Sequence, residues 1–156
     1  MKPKNGEHPF GDTGQLVCVG LFVIIWIGDS FFLRKPTFLS NHVPLSFRLV
    51  ILSLTLITAV YLLKSGHAVT GHEQRPNGVV STGAFRYVRH PLYLASLLTY
   101  LGLTISTMSI ASFLLLVGIF SFHNCIASYE EKWLETRFGE EYRTYKEKTG
   151  KWFPRI

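Results

Sequence analysis

Four stretches of this chain are almost wholly apolar. Gln15 to Leu33 carries a single acid, Asp29, and Phe47 to Leu63 carries only Arg48, at its edge. Leu92 to Met108 and Ile110 to Ala127 carry no charge. Runs of about 17–25 such residues are long enough to cross a bilayer as helices. The alternative is four buried helices of a soluble all-α domain, but helices of that kind keep a polar face, and these segments show little of one. The first segment also resembles the apolar region of a signal peptide. It is long for that role, no small-residue cleavage site follows, and three further spans come after it. The pattern therefore predicts an all-α, polytopic membrane bundle of about four transmembrane helices, organised as one domain over 1–156.

Only the residues around Thr107, Met108 and Ser109 join the third and fourth segments, which forces an antiparallel hairpin. Lys64 to Arg89 reads as a long middle loop containing Gly66, Gly71, Pro76, Gly78 and Gly83. Ordered loops of that length tend to be functional. After Ala127 the composition shifts. In Ser128 to Lys148, Leu134, Phe138, Tyr142 and Tyr145 recur at helical spacing among charges, which predicts a C-terminal amphipathic helix lying on the bundle or the interface. Gly139 is a weak point where that helix can bend.

Composition narrows the class. Hydrophobic residues make up 47% of the 156 and charged residues 17%, against roughly a quarter charged in soluble domains, which excludes disorder. Two cysteines, Cys18 and Cys125, exclude a disulfide scaffold or a four-thiolate zinc site. The net charge of +6 allows nucleic acid or anionic lipid as a partner. On a four-span topology, thirteen basic residues fall on the side holding both termini and the middle loop, and only Arg34, Lys35 and Arg48 fall on the other. The positive-inside rule then puts both termini in the cytoplasm, with a bacterial inner membrane favoured over the endoplasmic reticulum. Basic residues spread over span ends do not form a nucleic-acid reading element.

The strongest local signal is Arg89-His90-Pro91-Leu92-Tyr93. Proline suits the first turn of a helix, so Arg89 and His90 lie at the N-terminal end of the third span. Helix N-termini attract carboxylates and phosphates; a snorkelling Arg beside an interfacial His is the plainer alternative. Glu130 and Glu131 follow the fourth span directly, and at least one should face the bundle, where a buried acid must find a cation or hydrogen-bond donors. Capping or solvation is the competing role. His123 and Asn124 lie inside the fourth span, where polar groups serve either function or interhelical hydrogen bonding. Asp29 lies toward the opposite side. His67 and His72 are a weak basis for a metal site, and no metal is expected. Neither a Gly-x-Gly-x-x-Gly turn nor a P-loop is present, so a nucleotide-like cofactor would be held in a non-Rossmann manner, and no nucleophile elbow suggests a hydrolase.

Gly78 to Ile156 resembles the isoprenylcysteine carboxyl methyltransferase and phospholipid methyltransferase superfamily, in the stretches GVVSTGAFRYVRHPLY and YEEKWLETRFGEEYRTYKEKTGKWFP with the helical hairpin between them. The resemblance implies an integral membrane enzyme that uses S-adenosylmethionine, with its catalytic half at about 64–156 and a cytoplasm-facing pocket. By position it puts cofactor contacts on Asn77, Gly78, Val79, Val80, Phe85, Arg89, His90, Pro91, Leu92, Tyr93 and Glu130, and catalytic roles on Arg89, His90 and Glu130. Arg89 and the helix N-terminus suit the cofactor carboxylate, and Glu130 suits its ammonium or sulfonium. The family often has tyrosine at the place of Phe85. Trp152 and Phe153 are expected to help close the pocket. The carboxyl methyltransferases carry an arginine one turn before the first glutamate to hold the substrate carboxylate; here that residue is Ile126, which cannot do so.

The expected activity is methyl transfer to a lipophilic or small acceptor (an amine, a thiol or a carboxylate) that enters from the lipid, with His123 and Asn124 on the substrate side. The competing expectation is a non-enzymatic membrane module whose C-terminal amphipathic helix docks a partner or anionic lipid. A transporter is disfavoured, because the span centres offer few polar groups to a solute.

Overall fold

The computed structural model describes residues 11–33, 42–70 and 78–155, and the architecture is helical throughout them. Helix α1 (Gly11–Ile27) runs into a π-helical segment, Gly28–Leu33. Helix α2 spans Leu45–Thr70, a short 3-10 turn covers Gly83–Arg86, and α3 spans Pro91–Thr107. Helix α4 spans Ile110–Phe138 and α5 spans Glu140–Lys148.

Among the described residues, three segments are long and apolar enough to cross a membrane: Thr13–Phe32, Leu45–Val69 and Ile110–Phe138. The fourth expected span, α3, is apolar but only 17 residues long, or about 26 Å at 1.5 Å per residue. Leu16, Ile24, Leu54, Ile57, Phe113 and Leu114 are all exposed. Apolar surface on that scale needs a covering phase, and lipid is the phase that suits helices of this composition.

The helices alternate in direction. Met108 adopts a left-handed conformation (φ 56°) and Ser109 caps α4 by accepting from the Ser112 amide, so two residues reverse the chain between α3 and α4. Gly66 of α2 lies against Leu92 of α3, while Arg48 at the start of α2 donates to the Ser106 carbonyl at the end of α3 (2.8 Å). Gly14 of α1 lies against Phe122 of α4, while Asp29 accepts from the Ser109 hydroxyl at the start of α4. Trp26 donates to the Leu103 carbonyl (3.1 Å) and the Thr107 hydroxyl (3.2 Å). Asp29, Trp26, Arg48 and Ser109 thus gather at one end of the bundle. The core between the ends holds Phe22, Leu97, Tyr100, Leu116 and Ile119, with the Phe22 and Tyr100 rings 4.5 Å apart.

Two expectations are corrected. The middle loop does not begin at Lys64: α2 continues to Thr70, so His67 is helical. The residues 71–77, with His72 and Asn77, lie outside the described residues. The C-terminal amphipathic helix is not one element either. Ser128 to Phe138 continue α4 without a break, and Gly139, at φ 54°, separates them from α5. A positive φ is open to glycine and strained for side chains with a Cβ, so the turn falls at the glycine.

Candidate active site

The other end of the bundle collects four pieces of chain: the approach segment from Gly78 to His90, the first turn of α3, the C-terminal half of α4, and the segment that follows α5. Pro91 opens α3, which fixes where the helix starts and holds His90 at its N-cap without a side-chain capping bond. His90 is therefore free of a capping role, and its ring turns to α4.

There it meets both glutamates. His90 Nε2 lies 3.1 Å from Glu131 Oε1 and His90 Nδ1 lies 3.8 Å from Glu130 Oε2. Tyr93, one helical turn after His90's end of α3, donates its hydroxyl to Glu130 Oε1 at 2.6 Å. Arg89 Nε donates to Glu131 Oε1 at 2.9 Å. The side chains of Arg89, His90 and Glu131 are 10%, 6% and 8% exposed, whereas that of Glu130 is 21% exposed. Adjacent carboxylates thus have different surroundings. Glu131 is buried and balanced by a guanidinium, as a buried acid requires. Glu130 is held by a phenol and opens toward solvent.

Arg89 is committed in other directions as well. Its Nη1 donates to the carbonyls of Lys146 (3.1 Å) and Thr149, and its backbone amide donates to the Gly150 carbonyl (2.9 Å). Helix α5 holds the approach segment in turn. The Val79 amide donates to Glu141 Oε1 (2.9 Å), and the Tyr145 hydroxyl donates to the Phe85 carbonyl (2.6 Å). Burial pushes the Tyr145 phenol up to about 12, so it stays a donor at every physiological pH.

Aromatic rings line the surroundings. The Trp152 ring centroid is 5.9 Å from that of His90 and 5.5 Å from that of Phe120. Tyr93 is 5.8 Å from His90 and 5.2 Å from His123. His123 is buried. The side-chain oxygen of Asn124 accepts from Lys151 Nζ (2.9 Å) and Trp152 Nε1 (3.2 Å).

The structure therefore brings Arg89, His90, Tyr93 and Glu130 together, with His123 next to Tyr93. Gly78, Val79, Val80 and Phe85 lie in the approach segment that α5 holds in place. Pro91 is buried, and Leu92 turns away, against Gly66 of α2. Phe153 is 80% exposed, while Trp152 packs beside His90. Ile126 is buried and apolar. The partner of Glu131 and the contacts of Glu141, Tyr145 and Lys151 are not legible in the sequence, because they span 23 to 62 residues of chain. Helical periodicity in Tyr142 and Tyr145 was the available signal for α5.

A bundle of membrane-length helices with a histidine–carboxylate cluster at one end defines a class: an integral membrane protein with a polar site at the end of its spans. The family is specific. The phospholipid methyltransferase family profile matches residues 43–141, more than half of the chain, and the chain belongs to that family. The match runs from the start of α2 into α5 and takes in the whole histidine–carboxylate cluster. No curated protein and no solved structure matches the chain.

Proposed function

We propose that this membrane methyltransferase moves a methyl group from S-adenosylmethionine to the amine of a membrane lipid, at the site formed by His90, Tyr93 and Glu130. The observation that carries this reading is the contrast between the two glutamates. Glu131 balances Arg89, whereas Glu130, bonded to the Tyr93 hydroxyl and beside His90, is the more exposed of the two carboxylates. Such a site favours cations, through charge and through ring faces. A sulfonium donor and an amine on its way to ammonium both fit it. A carboxylate acceptor does not, because Arg89 Nε and Nη1 are already engaged and Ile126 offers no charge.

The residues also suit the donor's other end. The first turn of α3 has no side-chain cap from His90, and an uncapped helix N-terminus attracts a carboxylate. The approach residues Gly78, Val79, Val80 and Phe85, with Asn77 before them, and Arg89 and Pro91 are assigned to the donor's surroundings on the family resemblance, whereas Leu92 packs away on Gly66 of α2.

S-adenosylmethionine, when bound, supplies an electrophilic methyl group. The protein contributes alignment and exclusion of water. Glu130, oriented by the Tyr93 hydroxyl, takes the proton that the amine gives up. His90 holds the carboxylate pair in place, and His123, whose ring lies 5.2 Å from that of Tyr93, is assigned to the acceptor side. Lateral entry from the lipid, along α4, is the route this reading gives the acceptor. The charge distribution assigns the site and both termini to the cytoplasmic side.

Calorimetry with S-adenosylhomocysteine, followed by methyl transfer from labelled donor to extracted lipids, tests the assignment. Wild-type protein is expected to bind the ligand and label an amine lipid. Glu130→Gln is expected to lose roughly 10²-fold in turnover, the scale of a general base. Absence of binding by the wild type overturns the assignment.

A further inference from the structure

The segment after α5 has no helix of its own, yet it is fixed at two points. Arg89 takes its first residues through the carbonyls of Thr149 and Gly150. Gly150 is needed there by close approach, since a Cβ at that position would overlap the Phe153 carbonyl. The second point is Asn124, in the middle of an otherwise apolar stretch of α4. Its side-chain oxygen accepts from both Lys151 and Trp152, and its backbone carbonyl accepts from Lys151 as well (3.2 Å), with Ser128 Oγ as a further acceptor (2.8 Å). A polar side chain on an apolar helix is costly unless partnered. The partners shown for this side-chain oxygen both come from the C-terminal segment. The result is an indole set between Phe120 and His90.

We propose that Asn124 is a positioning residue: its side-chain oxygen seats Trp152 beside His90, so that the C-terminal segment supplies an aromatic wall of the methyl-transfer site. This rests on the assignment of His90 and Glu130 to that site. The indole is the ring face that attracts cations most strongly, and Lys151 Nζ already stands 5.9 Å from its centroid. Without the Asn124 side chain the segment keeps its bonds to Arg89, to Ser128 Oγ and to the Asn124 backbone carbonyl, but the indole N–H loses its acceptor. Asn124 then acts on the reaction through Trp152, not through contact with the acceptor.

The test uses the full chain in detergent micelles, with Asn124→Leu, Asn124→Asp and Trp152→Phe. Three quantities are read: affinity for S-adenosylhomocysteine, the donor KM against kcat, and tryptic cleavage after Lys151 located by mass spectrometry. Asn124→Leu is expected to weaken binding roughly tenfold, the scale of one cation–π contact, and to raise donor KM more than it lowers kcat. It should also expose Lys151 to trypsin. Asn124→Asp keeps the acceptor oxygen and should stay near wild type. Trp152→Phe keeps a ring but loses the N–H to Asn124, so it should weaken binding even if Asn124→Leu does not fold. Wild-type affinity and cleavage in Asn124→Leu, or in Trp152→Phe where the first variant is lost, overturn the proposal. Equal damage from Asn124→Asp and Asn124→Leu does the same. Failure of the wild type to bind the ligand refutes the site assignment instead, and the cleavage comparison still reports whether Asn124 holds the segment.

Discussion

Arg89 and Glu131 are adjacent charges in a setting where neither can be left alone. Both side chains are close to fully buried, and removing one member of such a pair typically costs about 3–5 kcal/mol, because the other stays buried without its partner. Glu131→Gln is therefore expected to lower stability by roughly that order, read as the midpoint shift of denaturant unfolding in micelles. Glu130→Gln, at a more open carboxylate, should leave the midpoint nearly unchanged while activity falls. Tyr145 gives a pH test. Its phenol is raised from 10 to about 12 by burial, so the folded state holds the proton after the unfolded state has lost it. The stability this group contributes is complete below pH 10 and declines as the pH climbs from 10 to about 12. Wild-type protein should lose stability more steeply across that window than Tyr145→Phe, followed by alkaline unfolding. At this scale the sequence displayed the chemistry but not the division of labour. His90, Tyr93 and Glu130 were singled out by the sequence, and the fold brings their side chains together. That Arg89 would be spent on Glu131 and on carbonyls from beyond α5 was not, because those partners lie 42 to 60 residues away.

Helix boundaries followed local rules where the rules were strong. Pro91 starts α3, and Ser109 starts α4 through a side-chain cap. Gly139 ends α4 at φ 54°, a conformation that costs a residue with a Cβ about 1–3 kcal/mol. Gly139→Ala should thus loosen α5 against the approach segment, seen as faster hydrogen exchange at the amides of Glu140–Lys148 with the exchange of α3 unchanged. Helical periodicity could not distinguish one amphipathic helix from a span that outruns the membrane and then turns. Both place Leu134, Phe138, Tyr142 and Tyr145 at similar spacing, and only the φ at one residue separates them. The end of α2 was hidden for a related reason. Lys64 and His67 look like loop residues in a membrane protein, but a helix can project polar turns past the apolar layer at little cost, because its backbone hydrogen bonds are internal.

At the scale of the molecule, the alternation of helix directions leaves two polar ends. One holds Asp29, Ser109 and Arg48, and the other holds the histidine–carboxylate site with α5 and the C-terminal segment. The proposed orientation, which rests on the asymmetry of basic residues, puts the second end in the cytoplasm. A fluorescent reporter fused after Ile156 should therefore fold and emit in a bacterial host, whereas a periplasmic phosphatase fused at the same point should be inactive. The reverse pattern would invert the orientation.

Hydropathy, together with the resemblance carried by Gly78 to Ile156, was enough to indicate a helical membrane protein of a methyltransferase family. Each is a property of neighbouring residues or of bulk transfer into lipid, so each can be taken from the linear chain. Tertiary structure alone decided which glutamate faces the guanidinium and which stays open, where Asn124 sends its hydrogen bonds, and that Trp152 stands against His90. Those outcomes depend on contacts between segments far apart in sequence, and no local pattern encodes the geometry that closes them.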